Sequence, residues 1–186
     1  MDSARTSDRK LTYDDFLLFP DDGQRHELID GEHYVTPSPN TRHQELSRRL
    51  VRAIILYQEI HPGGRLYYAP LDVVFTDVDV VEPDVLFVTD DQIHIVTPQH
   101  LRGAPALVVE ILSKGTRRTD LQTKRELYAS AGVREYWAID PMENRIIVHR
   151  TRDDGGFVAA TALTTSDTLT TPLLPGFSLD LRAFFA

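Results

Sequence analysis

Three charged residues stand where the surrounding sequence is apolar. Asp84 follows Pro83 and opens the run Val85-Leu86-Phe87-Val88, while Glu110 interrupts Leu107-Val108-Val109-Glu110-Ile111-Leu112. A carboxylate inside such a run is costly unless it is paired or bound to a metal. Two of them invite a cation, and hard oxygen donors in a chain with no cysteine favour Mg2+ or Mn2+. The plainer alternative for either residue is a strand-end carboxylate capping a loop. Lys124 is the third. At ~100° per residue it shares a helical face with Leu121, Tyr128 and Ala131, which should point inward. It either snorkels to solvent along that face or supplies a cation that orients a nucleophilic water and stabilises charge on a phosphate.

Glu27 carries a weaker signal. It lies between His26 and Leu28 in a strand, on the opposite face from both, and is either an outward glutamate on an edge strand or a further ligand. His43 falls near the angle of Leu50 and Ile54 on its helix and reads as a satisfied core histidine. His26, His33, His43 and His61 show no zinc-site spacing, and no Gly-x-Ser-x-Gly elbow surrounds Ser113. Lys114, Arg117 and Arg118 cluster beside the Lys124 helix, where a phosphate backbone could lie. Arg42, Arg48, Arg49 and Arg52, with Glu45 and Glu59 nearby, read as a solvated helix face.

The elements that must position these groups follow from periodicity and turn chemistry. Thr12-x-x-Asp15 caps a short helix that ends before Pro20. Gln24–Ile29 and Glu32–Thr36 flank Asp30-Gly31, a pair that favours positive φ and closes a tight hairpin. From about Asn40 to Ile60, Leu46, Leu50, Ile54 and Tyr57 recur at helical spacing to form the main amphipathic helix. Short β-like runs Leu66–Ala69 and Asp72–Phe75 come next, then an acidic stretch Asp77–Glu82, then the Asp84 strand. Residues 89–104 are polar and turn-rich, and Ala106–Leu112 suits a central strand covered on both faces. A helix from Asp120 to Ala131 stops at Gly132, and strands at Glu135–Ile139 and Arg145–His149 follow. Phe157–Thr171 adds short strands before a last segment.

At 186 residues, 41% hydrophobic and 26% charged, the chain reads as a disordered start over residues 1–10 and one globular domain over 11–186. The first ten residues lack the apolar core of a signal peptide, and no run approaches the ~20 apolar residues of a membrane span. No membrane partner and a cytoplasmic location are expected. The net charge of -8 repels nucleic acid, so phosphate binding would need metal ions or a local basic patch.

The ordered set Pro83-Asp84, Val109-Glu110-Ile111-Leu112-Ser113, Asp120-x-x-x-Lys124-x-x-x-Tyr128 and Gly132-Val133-x-Glu135-Tyr136-Trp137-x-Ile139-Asp140 closely resembles the Uma-two family. Leu11-Thr12-Tyr13-Asp14-Asp15-Phe16 and Glu27-Leu28-Ile29-Asp30-Gly31-Glu32 are similar to its opening helix and hairpin, so the resemblance spans roughly residues 11–184. That bacterial family, also called domain of unknown function 820, is restriction-endonuclease-like and lies within the PD-(D/E)XK nuclease superfamily. The resemblance implies an α/β fold, a mixed β-sheet core flanked by helices with an N-terminal β-hairpin. It also implies an Mg2+- or Mn2+-dependent endonuclease acting on DNA. The catalytic roles fall on Asp84, Glu110, Lys124 and Glu27, and the metal on Asp84, Glu110, Glu27 and Ile111. One departure stands out: the superfamily's lysine lies two positions after the second carboxylate, and that position here is Leu112. The resemblance therefore places the lysine on the neighbouring helix as Lys124. A homodimer is implied by the same analogy. The competing reading is a non-catalytic nucleic-acid-binding or assembly module that keeps the fold without turnover.

Overall fold

The structure is a computed structural model that describes residues 9–152 and 156–186. Its first element, α1 (Tyr13–Phe16), is a single turn closed by the Thr12/Asp15 capping box. The hairpin of β1 (Arg25–Ile29) and β2 (Glu32–Thr36) turns at Asp30 and Gly31, with φ of 54° and 74°. Both central residues are left-handed, the geometry that an Asp-Gly pair supplies at low cost. The main helix, α2 (Thr41–Ile60), starts where the Asn40 side chain accepts the His43 amide and buries His43, Leu46, Leu50 and Ile54.

Two sheets carry the rest. After β3 (Arg65–Tyr68), the hairpin of β4 (Val73–Thr76) and β5 (Asp79–Val81) joins β1 and β2 in a five-stranded sheet, ordered β2-β1-β5-β4 with β7 (Leu101–Arg102) at its edge. The six-stranded sheet runs β11-β10-β9-β8-β6-β3, where β6 is Val85–Val88, β8 Leu107–Ile111, β9 Glu135–Asp140, β10 Arg145–Arg150 and β11 Thr161–Leu163. A small pair, β12 (Thr168–Leu169) and β13 (Leu179–Asp180), precedes the final helical turns at Leu181–Phe185. The chain crosses from one sheet to the other through Glu82-Pro83-Asp84. The proline has no N–H to offer a ladder, so it ends one strand and allows the next to begin in the other sheet.

Between β8 and β9 the chain is helical from Arg117 to Ala131. It forms α3 (Arg117–Thr119), a wider π-helical turn at Asp120–Lys124 and α4 (Arg125–Ala131), and ends at left-handed Gly132. Strand β8 lies between antiparallel β6 and parallel β9. Leu107, Val109 and Ile111 pack with Leu46, Leu50 and Trp137 on one face, and Val108 and Leu112 pack with Tyr128 and Tyr136 on the other. Each face buries side chains that contribute ~1.5–3 kcal/mol apiece relative to exposure. Among the described residues, no helix is long and apolar enough to cross a membrane.

Several expectations change. The acidic stretch Asp77–Glu82 contains a strand, β5, because Val80 and Val81 bury fully against the neighbouring strands. The turn-rich segment 89–104 holds a 3-10 turn at Asp90–Ile95 and strand β7, which pairs parallel to β4. Strand β1 is not an edge strand, since β2 and β5 flank it. Of the residues 1–10 expected as a disordered start, 1–8 lie outside the described residues. Arg9 and Lys10 are described, and they pair with Asp15 and Asp30.

Candidate functional site

The cleft forms where the two sheets meet. Strand β8 is flanked by neighbours on both sides, so its alternation sets Glu110 on the same face as Val108 and Leu112. The antiparallel register pairs Val85 with Val109, and one further step places Asp84 across from Glu110. The Ile111 amide confirms the juxtaposition by donating to Asp84 Oδ2 at 2.7 Å. Glu27 arrives from the other sheet on β1 and is only 2% exposed. Its Oε1 accepts the Glu82 amide at 2.9 Å, which ties β1 to the crossing segment.

Lys124 joins these acids. Its ammonium donates to Glu27 Oε1 at 2.7 Å and to Glu110 Oε1 at 2.9 Å, and lies 3.8 Å from Asp120 Oδ1. The residue is 4% exposed, so snorkelling to solvent does not describe it. The inward face of the helix is set by Asp120, Lys124 and Tyr128, spaced by four; Leu121 and Ala131 are only half-buried. The π-helical turn carries both Asp120 and Lys124, and such widened turns concentrate at functional sites. Tyr128 donates its hydroxyl to Glu110 Oε1 at 2.6 Å and fixes that carboxylate from below.

Asp84 is held by different groups. Arg25 Nη1 donates to Oδ1 at 2.8 Å, and His43 Nε2 lies 3.0 Å from Oδ2. Arg25 Nε also lies 2.9 Å from Glu82 Oε1, without the alignment of a hydrogen bond, and that oxygen has no hydrogen-bond partner. His43 is buried with a polar partner, as expected of a satisfied core histidine, and that partner is Asp84, so it also lines the cleft. Periodicity placed it correctly on the buried face of α2 but could not show that Asp84 lies opposite. Arg25, Glu82 and Asp120 also escaped sequence reasoning. Arg25 and Glu82 come from the sheet crossing, which no local pattern announces. The four-residue spacing of Asp120, Lys124 and Tyr128 was the available signal for Asp120.

Charge in the cleft is unbalanced. Glu27, Glu82, Asp84, Glu110 and Asp120 face two permanent cations, Arg25 and Lys124. Burial, with neighbouring acids adding to it, pushes Glu110 up to about 8, Glu82 to about 7 and Asp120 to about 6. Asp84 is buried too, but the His43 and Arg25 contacts outweigh burial and hold it below the usual carboxylate range. Burial would lower Lys124, yet Glu110, Glu27 and Asp120 together raise it well above its ordinary value. The lysine is a fixed cation at any ordinary pH.

These side chains line a cleft of about 100 Å³, closed on one side by Pro37, Ser38, Pro39 and Asn40. At ~30 Å³ per water, that is room for a few waters or an ion with part of its hydration shell. Among the described residues no three His, Asp or Glu side chains already converge as an ion-binding cluster; Lys124 and Arg25 stand among the acids instead. The donor set nevertheless fits a hard divalent cation. It is all oxygen, carries surplus negative charge and leaves Glu82 Oε1 unsatisfied.

The basic groups separate clearly. Arg117 donates to buried Asp140 at 2.6 Å, so it braces the helix rather than facing the cleft, while Lys114 and Arg118 stay exposed. Arg48 and Arg49 pair with Glu45, and Arg42 and Arg49 bind C-terminal carbonyls, as a structural helix face would.

Comparison with known proteins agrees with this architecture. A solved structure described as "a putative nuclease belonging to DUF820", from Anabaena variabilis ATCC 29413, superposes with a TM-score of 0.79 at 21% identity, covering 94% of this chain and 97% of that one. At that identity the likeness speaks for the fold, the restriction-endonuclease-like α/β arrangement. No curated protein matched. The family Uma2, described as "Putative restriction endonuclease", matches residues 13–182, a span that contains every cleft residue from Arg25 to Lys124, and the chain belongs to that family.

Proposed function

We propose that this chain is a nuclease that hydrolyses phosphodiester bonds in DNA with the help of Mg2+ or Mn2+. The observation that carries the reading is the buried Lys124 ammonium bridging Glu27 and Glu110 beside Asp84, with more acid in the cleft than its own cations neutralise. Asp84 and Glu110 would hold the ion, with Glu27 and the Ile111 main chain completing the set. When bound, the ion would supply positive charge that eases deprotonation of water and offsets charge on the scissile phosphate.

The chain's own groups account for the rest. Lys124, permanently charged, donates hydrogen bonds that orient a water and stabilise the phosphate oxygens as charge develops. Tyr128 holds the Glu110 carboxylate, while His43 and the Ile111 amide hold Asp84, so both acids keep one orientation. Arg25 and Lys124 serve as internal counter-ions that offset part of the burial cost of the acids, most fully at Asp84, before substrate arrives. With a net charge of -8, the chain gains little from long-range attraction to DNA, and binding depends on the cleft and on exposed Lys114 and Arg118.

The test uses supercoiled plasmid and linear duplex with Mg2+ or Mn2+, comparing wild type with Asp84→Asn and Lys124→Ala. Loss of ~10²-fold or more in cleavage rate is expected from removing one charge-stabilising group. Equal nicking by all three proteins would overturn the proposal. One observation favours the non-catalytic reading: the acids already have partners within the chain. If titration with Mn2+ releases no heat and Asp84→Asn changes nothing, the fold serves as a binding or assembly module.

A further inference from the structure

Lys124 at rest directs its hydrogen-bonding capacity at acids. An ammonium has three N–H donors and no acceptor. Two go to Glu27 Oε1 at 2.7 Å and Glu110 Oε1 at 2.9 Å, and the third carboxylate near it is Asp120, with Oδ1 3.8 Å away. So placed and buried, the lysine has little left to offer a water or a phosphate oxygen, and it must release a glutamate before it can act. Glu27 and Glu110 are also oxygens that a divalent cation would take, so ammonium and ion compete for the same acceptors. Asp120 stands outside that contest. It lines the cleft from the π-helical turn that also carries Lys124, four residues earlier in the chain. Its amide donates to the Thr116 carbonyl at 2.9 Å and its carbonyl accepts the Tyr136 hydroxyl at 3.1 Å. The Asp120 main chain is therefore anchored, while the unbranched lysine stem can pivot.

We propose that Asp120 is a positioning residue: it receives the Lys124 ammonium when Glu27 and Glu110 turn to the ion, and holds the lysine where it can meet substrate. The inference rests on the ion-dependent reading of the cleft and adds to it the residue that moves and the residue that catches it. A shift of about 1 Å closes the 3.8 Å gap to the usual length of a charged hydrogen bond. Seated there, the ammonium keeps one N–H on Asp120 and frees two for a water and a phosphate oxygen. Asp120 also eases ion binding, because a buried cation displaced from two carboxylates would otherwise stand unpaired beside a divalent ion. At an effective dielectric constant of ~20, closing the Lys124–Asp120 contact to ~2.8 Å strengthens ion binding roughly tenfold relative to a cleft without that carboxylate.

The test is calorimetric titration of Mn2+ into wild type, Asp120→Asn, Lys124→Met and the double variant at one pH, with melts to show that each is folded at the titration temperature. Asp120→Asn keeps the shape and removes the charge, and is expected to weaken Mn2+ binding roughly tenfold. Lys124→Met removes the competitor and should bind Mn2+ more tightly than wild type. In that background there is no ammonium to seat, so adding Asp120→Asn should change the affinity by no more than about threefold. An equal loss in both backgrounds would make Asp120 a ligand of the ion and overturn the proposal, as would no loss in either. Absence of Mn2+ binding by both wild type and Lys124→Met would instead remove the ion site itself, and the proposal with it. A second readout needs no substitution. In Mn2+-loaded crystals of wild type, Lys124 Nζ is expected at hydrogen-bond distance from the Asp120 carboxylate; an ammonium no closer to Asp120 than at rest overturns the proposal.

Discussion

Replacing Lys124 by methionine isolates the charge at the centre of the cleft. Methionine keeps the unbranched stem and comparable volume, so the substitution removes the ammonium with little repacking. Three carboxylates, Glu27, Glu110 and Asp120, then lose the cation that stands 2.7, 2.9 and 3.8 Å away. Breaking a buried pair from one side costs about 3–5 kcal/mol, because the charge left behind has no water to replace its partner. For a chain of this length each kcal/mol shifts the melting temperature by about 2–4 °C, so a fall of about 6–20 °C is expected. The deficit has a pH signature. Glu110 is raised from 4.5 to about 8 when folded, so the folded state binds more protons than the unfolded state across that window. Its contribution is fully present below pH 4.5 and is lost as pH rises through 8. Without Lys124 the acids are harder still to ionise, so the variant's deficit should narrow at pH 5 and widen at pH 8. Thermal melts of both proteins at the two pH values provide the assay. A deficit below 2 °C, or one equal at both pH values, would refute the claim that Lys124 is the counter-ion of buried carboxylates.

Two further outcomes follow from the same geometry. Arg25→Gln frees Asp84 Oδ1 from a competing cation, and a hydrogen bond to a charged group contributes about 1.5–3 kcal/mol. Calorimetric titration at fixed pH should therefore show Mn2+ binding tightened roughly tenfold; weaker binding would mean that Arg25 organises the ion site instead of competing with it. Asn40→Ala removes the cap that accepts the His43 amide at 2.9 Å, and a melting-temperature loss corresponding to about 1 kcal/mol is expected. An unchanged melt would show that the α2 cap is dispensable.

How much of this was legible in the sequence depends on whether local pattern or long-range contact sets the feature. The Asp30-Gly31 turn, the Asn40–Ile60 helix and the doubly covered β8 strand follow from φ preference and periodicity, and the structure bears them out. Strand β5 was hidden because its three residues sit in an acidic stretch, and only burial against β1 and β4 marks it as a strand. In the cleft, apolar context exposed Asp84 and Glu110, and helical phase exposed Lys124. Glu27 looked like a surface residue because the neighbours of a strand cannot be read from the strand itself. Arg25, His43 and Glu82 belong to the cleft through contacts that span 41 to 59 residues of sequence or cross between sheets. No window of local pattern reaches that far.

The most direct test of the cleft as an ion-dependent nuclease centre is anomalous diffraction from crystals soaked in Mn2+. The expected result is a peak bonded to carboxylate oxygens of Asp84 and Glu110, with the Lys124 ammonium withdrawn from its bridge between Glu27 and Glu110. A cleft with no anomalous peak at saturating Mn2+, and Lys124 still seated between those two glutamates, would contradict it.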